Sequence, residues 1–436
     1  MCSIDTIGTS INEREILVVK ISDNVKKKEN EPEFFYTSTM HGDEVTGYIL
    51  MLRLIDYLLS NYGENEVVTY LIDNVEIWIN PLSNPDGTYF GGDNNIFQAI
   101  RFNANYVDLN RNFPDPEDGE HPDNEDWQKE NIDMMNFMKE HNFAFSANLH
   151  TGAEVLNYPW DTYEKEHADE DWFEYICREY ADTVHKYSDN YLTSFDNGIT
   201  NGYSWYSISG GRQDYVTYFL HGREVTFELS QTKFPPANNL PNYWEYNYRS
   251  LLNYIKQVTY GIKGNVTDSI TNEPLLAKIE ILNHDIDSSE IYNSENFGNY
   301  HRLIFQGTYN LKFSADAYNS KIIENVNVQN ENFTILDVKL SLDTTLFISK
   351  IESYNLKIIP NPCKNKLQIT FNSKYNENLE IIIFDFYARE IKNLKNIFAK
   401  KGKNVIYLST ADLQYGMYFL QIKSENIFIK EKFFKH

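Results

Sequence analysis

Cysteine is scarce: three residues in 436, Cys2, Cys177 and Cys363, far apart and odd in number. They show no metal-type spacing and cannot all pair within one chain, so they read as free and structural. No apolar run reaches the ~20 residues that a bilayer-spanning helix needs, so no membrane span is expected. The start, Met-Cys-Ser-Ile-Asp-Thr-Ile-Gly, lacks a basic-then-apolar export segment. Positive charge is also in deficit, with 39 Lys and Arg against 63 Asp and Glu for a net −24. That balance argues against nucleic acid as a partner and favours cationic ligands. Residues 342–436 hold 15 Lys and Arg against 9 Asp and Glu, a net +6, so the first 341 residues carry −30. The shift places a domain boundary near Leu342. Low-complexity tracts and solenoid repeats are absent, and the length allows two or three folded domains.

What is present alternates between two periods. Glu13–Ser22, Glu33–Thr39, Val75–Ile79, Phe143–Leu149 and Val225–Leu229 read as strands. Thr46–Ser60, Asp126–His141, Asp171–Tyr187 and Leu240–Tyr260 read as helices. The alternation predicts an α/β/α sandwich around a mixed sheet over residues 1–260. From Gly261 the text turns into short β-type runs at Ala277–Leu282, Thr308–Phe313, Ile322–Val328 and Phe333–Leu340, a small β-sandwich over 261–342. A second all-β domain is expected over 343–436, with Pro360-Asn-Pro362 and runs at Leu367–Phe371, Leu379–Phe386 and Gly416–Lys423.

Chemistry gathers at strand ends. His41-Gly-Asp-Glu44 lies between a strand and a helix, and His150 ends another strand. Two imidazoles and a carboxylate leaving one position open are the ligand set of a catalytic zinc site. Glu228 sits within an otherwise apolar strand, costly unless paired or functional. Asn110-Arg111 sets an amide beside a guanidinium, suited to holding a carboxylate, and Arg101 adds a second cation. Read without context, Asn110-Arg111 also fits a surface turn, Asp161 a helix cap, and Glu228 a structural partner of an arginine.

Eight blocks in order resemble the zinc metallocarboxypeptidases, in the branch with carboxypeptidases D, E, M and N. They are His41-Gly-Asp-Glu44, Asn84-Pro-Asp-Gly87, Asp108-Leu-Asn-Arg-Asn-Phe-Pro114, Asn148-Leu-His-Thr-Gly152, Asn157-Tyr-Pro-Trp-Asp161, Gly198-Ile-Thr-Asn-Gly202, Gly210-Gly-Arg-Gln-Asp214 and Glu224-Val-Thr-Phe-Glu-Leu-Ser230. The resemblance implies one zinc ion held by His41, Glu44 and His150, with Glu228 as general base and Arg101 stabilising the oxyanion. It implies that Asn110 and Arg111 bind the substrate's terminal carboxylate and that Tyr206 closes over it. Asp161 and Gln213 would favour C-terminal Lys or Arg. Departures stand at Asp43, Arg212, Tyr215 and Thr217, and a cation at Arg212 beside the pocket would alter basic specificity.

The block from Gly261 resembles the transthyretin-like sandwich that follows the catalytic domain in this branch, with a packing role. The last block resembles the C-terminal sorting domain of type IX secretion, which makes that machinery a partner and the protein secreted or surface-bound. Such cargo needs a signal segment, so the natural start is expected upstream of Met1. A monomer acting on peptide or protein C-termini is expected. The alternatives are a non-catalytic peptide- or carbohydrate-binding relative, and an enzyme of peptidoglycan peptides in which Arg212 recognises an acidic group.

Overall fold

The computed structural model describes residues 1–343, 354–385, 389–424 and 428–436. They form two compact units, Met1–Asp316 with Ser320–Leu340, and Ala317–Asn319 with Ser341–His436.

The first unit is built on an eight-stranded sheet: β1 (Cys2–Thr9), β2 (Glu15–Ile21), β3 (Glu33–Ser38), β4 (Glu76–Asn80), β5 (Phe143–His150), β6 (Glu154–Tyr158), β7 (Ile199–Asn201) and β8 (Glu224–Leu229). Its order is β1-β2-β4-β3-β5-β8-β6-β7. Neighbours β4, β3, β5 and β8 run parallel, while β2 and β6 pair antiparallel with their neighbours β4 and β8. The sheet is mixed, as the alternation predicts.

Eight α-helices accompany it: α1 (Thr46–Asn61), α2 (Glu66–Ile72), α3 (Pro85–Thr88), α4 (Lys129–Glu140), α5 (Glu170–His185), α6 (Gly202–Trp205), α7 (Arg212–Phe219) and α8 (Leu240–Gln257). Strand periodicity explains the layers. Phe34 and Tyr36 pack with Leu50, Leu54, Tyr180 and Ile255 on one face, whereas Phe35 packs with Met134, Met138 and Tyr215 on the other. Burying each such ring stabilises the fold by ~1.5–3 kcal/mol.

Sequence periodicity misses several elements. β1 is an edge strand with no buried residue. Helix α2 is Glu-Val-Val-Thr-Tyr-Leu-Ile, β-branched enough to read as a strand, and it is helical because Asn65 accepts hydrogen bonds from the Val67 and Val68 N–H groups.

The same unit continues into two four-stranded sheets. Their strands are β9 (Gly261–Asp268), β10 (Lys278–Ile281), β11 (Ile291–Tyr292), β12 (Asn299–Arg302), β13 (Gly307–Ser314), β14 (Lys321–Val328), β15 (Phe333–Ile335) and β16 (Val338–Leu340). One sheet runs β11-β10-β13-β14, and the other is built around β9 with β12, β15 and β16. The single run expected over Phe333–Leu340 is two strands. Leu336 gives its carbonyl to the Tyr300 hydroxyl and Asp337 accepts the Asn265 N–H, which breaks the ladder between them.

These sheets are pinned to the first by a buried ion network. Asp169 accepts from Arg223 Nε at 2.7 Å and from both terminal nitrogens of Arg302 at 2.9 Å. Arg302 also reaches Asp285 at 2.7 Å. Burial alone would raise the Asp169 pKa, but the two guanidiniums hold it well below the usual range. Asp169, His284 and Asp285 are spaced as a metal group is, yet these guanidiniums already neutralise both carboxylates.

The second unit has strands β17 (Lys357–Ile359), β18 (Lys366–Ser373), β19 (Glu377–Asp385), β20 (Glu390–Ala399), β21 (Gly402–Ser409), β22 (Gly416–Lys423) and β23 (Phe428–Lys435) in two sheets. Leu367, Ile369, Phe371, Ile381, Ile383, Leu420 and Ile422 form its core. Phe386, the end of one expected strand, lies outside the described residues.

Candidate active site

Parallel strands β3, β5 and β8 end together, and that edge carries the site. Thr39, a β-branched residue at φ +61°, turns the chain out of β3, and its hydroxyl donates to the Glu44 carbonyl at 3.0 Å. Asn84 holds the loop from below, donating to the Met40 carbonyl at 3.1 Å. A Cβ on Gly42 would overlap the backbone of Gly87, so the two Gly-bearing motifs require each other's close approach. In β5 and β8 the register sets His150 directly against Glu228.

The ligand atoms of His41, Glu44 and His150 lie within 4.8 Å of one another, and all three residues are buried. His41 Nδ1 and His150 Nδ1 face each other at 3.1 Å, and each meets a Glu44 oxygen, at 3.0 and 2.9 Å. On its far side His41 Nε2 is 3.0 Å from Asp108 Oδ1. A carboxylate there holds the proton on Nε2 and leaves the Nδ1 lone pair turned towards Glu44 and His150. This donor set fits zinc, since two imidazole lone pairs and a carboxylate converge on one point. Asp108, in a motif quoted above but given no role, supplies the orientation.

Electrostatics follow from burial and these contacts. Burial disfavours the charge on Glu44, but His41 and His150 hold its pKa well below the usual range. Burial takes His150 down to about 4. Burial and the nearby Glu44 carboxylate push Glu228 up to about 8, and a dication on Glu44 acts in the opposite sense. Glu228 Oε2 is buried with no hydrogen-bond partner among the described residues, so it is not the arginine-paired structural carboxylate.

Arg101 donates through Nε to Asp108 at 2.9 Å, and its Nη1 lies 3.4 Å from Glu44, beside the ligands. Asn110 follows Asp108 in a 3₁₀ turn, with its N–H bonded to Asp108 at 3.0 Å, and it is buried rather than part of a surface turn. Arg111, next along, is held by its Nη1 bond to the Asn110 carbonyl at 2.7 Å. Tyr206 is half exposed and lies close enough to Arg111 and Glu228 to feel both charges.

Asp161 is buried and caps no helix. Its Oδ1 accepts from Asn157 at 3.0 Å and from Gln213 Nε2 at 3.1 Å, and Gln213 is itself held by the Thr226 N–H at 2.8 Å. Burial pushes Asp161 up to about 6. Asp214, which ends a block quoted above but given no role, accepts the N–H groups of Asp161 and Thr162 and so aims the loop. A Cβ on Gly202 would overlap Asp161 Oδ1, so only glycine lets the chain pass this close to the carboxylate.

Two of the departures have definite partners, and one of them corrects an expectation. Arg212 does not stand beside the pocket. It is fully buried, pairs with Glu224 at 2.9 Å, contacts the Thr37 hydroxyl and lies over the Phe35 ring. A guanidinium closed off in this way cannot read a substrate's acidic group. Asp43 faces Lys233 at 3.2 Å, and Lys233 also reaches Glu44 at 3.1 Å, a cation that no sequence motif marks.

Residues 1–250 match the zinc carboxypeptidase family, and residues 357–436 match the secretion system C-terminal sorting domain. Carboxypeptidase D of Mus musculus is 39% identical over 355 residues, 76% of this chain and 25% of that protein. The chain thus spans about a quarter of the length of the carboxypeptidase D relatives. Carboxypeptidase M of Mus musculus is 35% identical over 345 residues, covering 73% of this chain and 74% of that protein. Bovine thrombin-activatable fibrinolysis inhibitor, solved with tick carboxypeptidase inhibitor, shares the fold with a TM-score of 0.51 at 17% identity, over 59% of this chain and 90% of that chain. By its matched domain and its relatives, the chain belongs to the zinc carboxypeptidase family.

Proposed function

We propose that the protein is a zinc-dependent exopeptidase that removes the last residue from peptides or proteins, preferring Lys and Arg. The observation that carries this is the convergence of His41, Glu44 and His150 beside Glu228, with Arg101, Asn110 and Arg111 on the neighbouring turn. Held by the first three residues, zinc supplies Lewis acidity that lowers the pKa of water and polarises a carbonyl. Glu228, whose Oε2 is buried without a partner among the described residues, takes the proton from the attacking water and passes it to the leaving amine. Arg101 stabilises the oxyanion. Asn110 and Arg111 hold the terminal carboxylate, which restricts cleavage to the chain end. Tyr206 covers the bound residue. Asp161, aimed by Asn157, Gln213 and Asp214, receives the basic side chain, and the −30 on the first 341 residues draws such substrates in.

The sorting-domain match supports export by the type IX route to the surface or beyond. Among the described residues no helix is long and apolar enough to cross a membrane. We place the domain limits at 1–260, 261–342 and 343–436, the second with a transthyretin-like packing role. Matched peptides ending in Lys, Arg, Phe or Glu, incubated with and without a zinc chelator, test the reading. Cleavage of the Lys and Arg peptides that stops with the chelator is expected. Folded, zinc-loaded protein that cleaves none of the four would refute the exopeptidase.

A further inference from the structure

Away from the active site, a cavity of about 310 Å³ opens between the large sheet's helices and the β9 sheet, all within the first unit. Its volume is at the lower end for small-molecule sites. The strand register makes one wall polar. β9 and β12 pair with Lys263 opposite His301 and Asn265 opposite Asn299, so all four side chains share a face by the two-residue period. Ile262, Val266, Tyr300 and Arg302 point the other way and are buried. The opposing wall is the loop of Asn30 and Glu31, and Asn30 bridges the cleft to Asn265 at 3.3 Å.

Three of the residues lining this cavity hold unspent polar atoms. Glu31 Oε2, Asn299 Oδ1 and both ring nitrogens of His301 are buried with no hydrogen-bond partner among the described residues. Leaving such groups unpaired costs ~1–3 kcal/mol each, so a ligand or an ordered water that reaches them is stabilised. Lys263 Nζ lies over the Phe333 ring at 4.1 Å with no ion pair among the described residues. Burial and the Lys263 charge take His301 down to about 3, so its ring is neutral, with one donor and one acceptor. At the other end Asp23 and Glu29 oxygens lie within 4.8 Å of Glu31, making that end electronegative. Lys263 and Glu31 therefore stand on facing walls without meeting, and burial together with Asp23 and Glu29 pushes Glu31 up to about 7, so a cation beside it would restore its charge.

We propose that this cavity binds a free zwitterionic amino acid, its carboxylate towards Lys263 and His301 and its ammonium towards Glu31, with basic residues preferred at the acidic end. A neutral sugar would satisfy the amides but would bring no anion to Lys263 and no cation to Glu31. The proposed peptidase reaction releases molecules of this class, yet the site rests on its own geometry and binding needs no turnover.

Calorimetric titration of the full chain with L-lysine, lysinamide and N-acetyl-lysine tests it. Lysine should bind wild type at two sites and Asp161→Asn at one, because the substitution removes only the active-site pocket. Lys263→Met and Glu31→Gln should each weaken the remaining site by about tenfold or more, as expected for losing a charge-assisted contact. Peptide turnover by Lys263→Met should match wild type, which also reports that it folds. Loss of all lysine binding in Asp161→Asn would overturn the proposal. Equal binding of lysinamide, or of glucose in place of lysine, would do the same, as would a lysine-soaked crystal with only ordered water in the cavity. Turnover defects in wild type would bear on the peptidase reading and leave these outcomes intact.

Discussion

Arg212 and Glu224 form a fully buried ion pair at 2.9 Å, one on helix α7 and the other opening strand β8. Ser146 adds a 2.6 Å hydrogen bond to the same Glu224 oxygen. Both charges are thereby compensated inside the core, away from the substrate. Arg212→Met should therefore cost stability, about 3 kcal/mol or more, because Glu224 is left charged or forced to protonate in the interior. Arg212→Met with Glu224→Gln should recover part of the loss. Chemical denaturation of the single and double variants checks this, and an unchanged ratio of kcat/KM for Lys- and Phe-ending peptides checks that Arg212 takes no part in specificity.

Glu228→Gln keeps the shape of the side chain but removes its basicity. Turnover should fall by roughly 10²- to 10⁴-fold while bound zinc stays unchanged. Metal analysis alongside kcat separates this from loss of the ligand set. Full turnover in the variant would remove Glu228 from the mechanism.

His150→Ala takes away one imidazole lone pair and should reduce zinc content and turnover together. Chelation of wild type should do the same and be reversed by added zinc. Asp108→Asn should weaken zinc binding by about 10- to 100-fold, because His41 loses the carboxylate that orients it. Equilibrium dialysis against a competing chelator measures both.

Asp161 is raised to about 6, so its carboxylate is neutral below that pH and charged above it. KM for Lys-ending peptides should therefore fall as pH rises through about 6, while KM for Phe-ending peptides stays flatter. Asp161→Asn should abolish the difference between the two profiles. Parallel profiles in wild type would remove Asp161 from side-chain recognition.

Arg302 and Asp169 join the β9 sheet to the main sheet from inside the fold. Arg302→Met should destabilise the first unit by about 3–5 kcal/mol, since Asp169 and Asp285 lose a shared partner they cannot replace. The Asp169 pKa is depressed on folding, so its contribution is present above the unfolded carboxylate value and lost as pH falls below it. Thermal unfolding at neutral and acidic pH should show the wild-type advantage shrinking in acid.

Much of this protein is local information. Two-residue alternation around Phe34, Phe35 and Tyr36 dictates a sheet with two buried faces, and helical spacing in Leu50, Leu54 and Leu58 dictates what covers one of them. The donor types at His41, Glu44 and His150 restrict the chemistry wherever the fold places them. Other features depend on residues distant in sequence. Strand β1 is an exposed edge with little hydrophobic signal, placed only by its pairing with β2. Arg212 reads as a pocket cation until Glu224, Thr37 and Phe35 come together around it, because a charge's role is set by its partners and by access to water. The His150–Glu228 register, the orientation of His41 by Asp108 and the unspent polar face beside Glu31 are likewise products of tertiary structure: each requires strands or loops distant in the chain to meet at hydrogen-bonding distance, and local periodicity carries no record of which ones do.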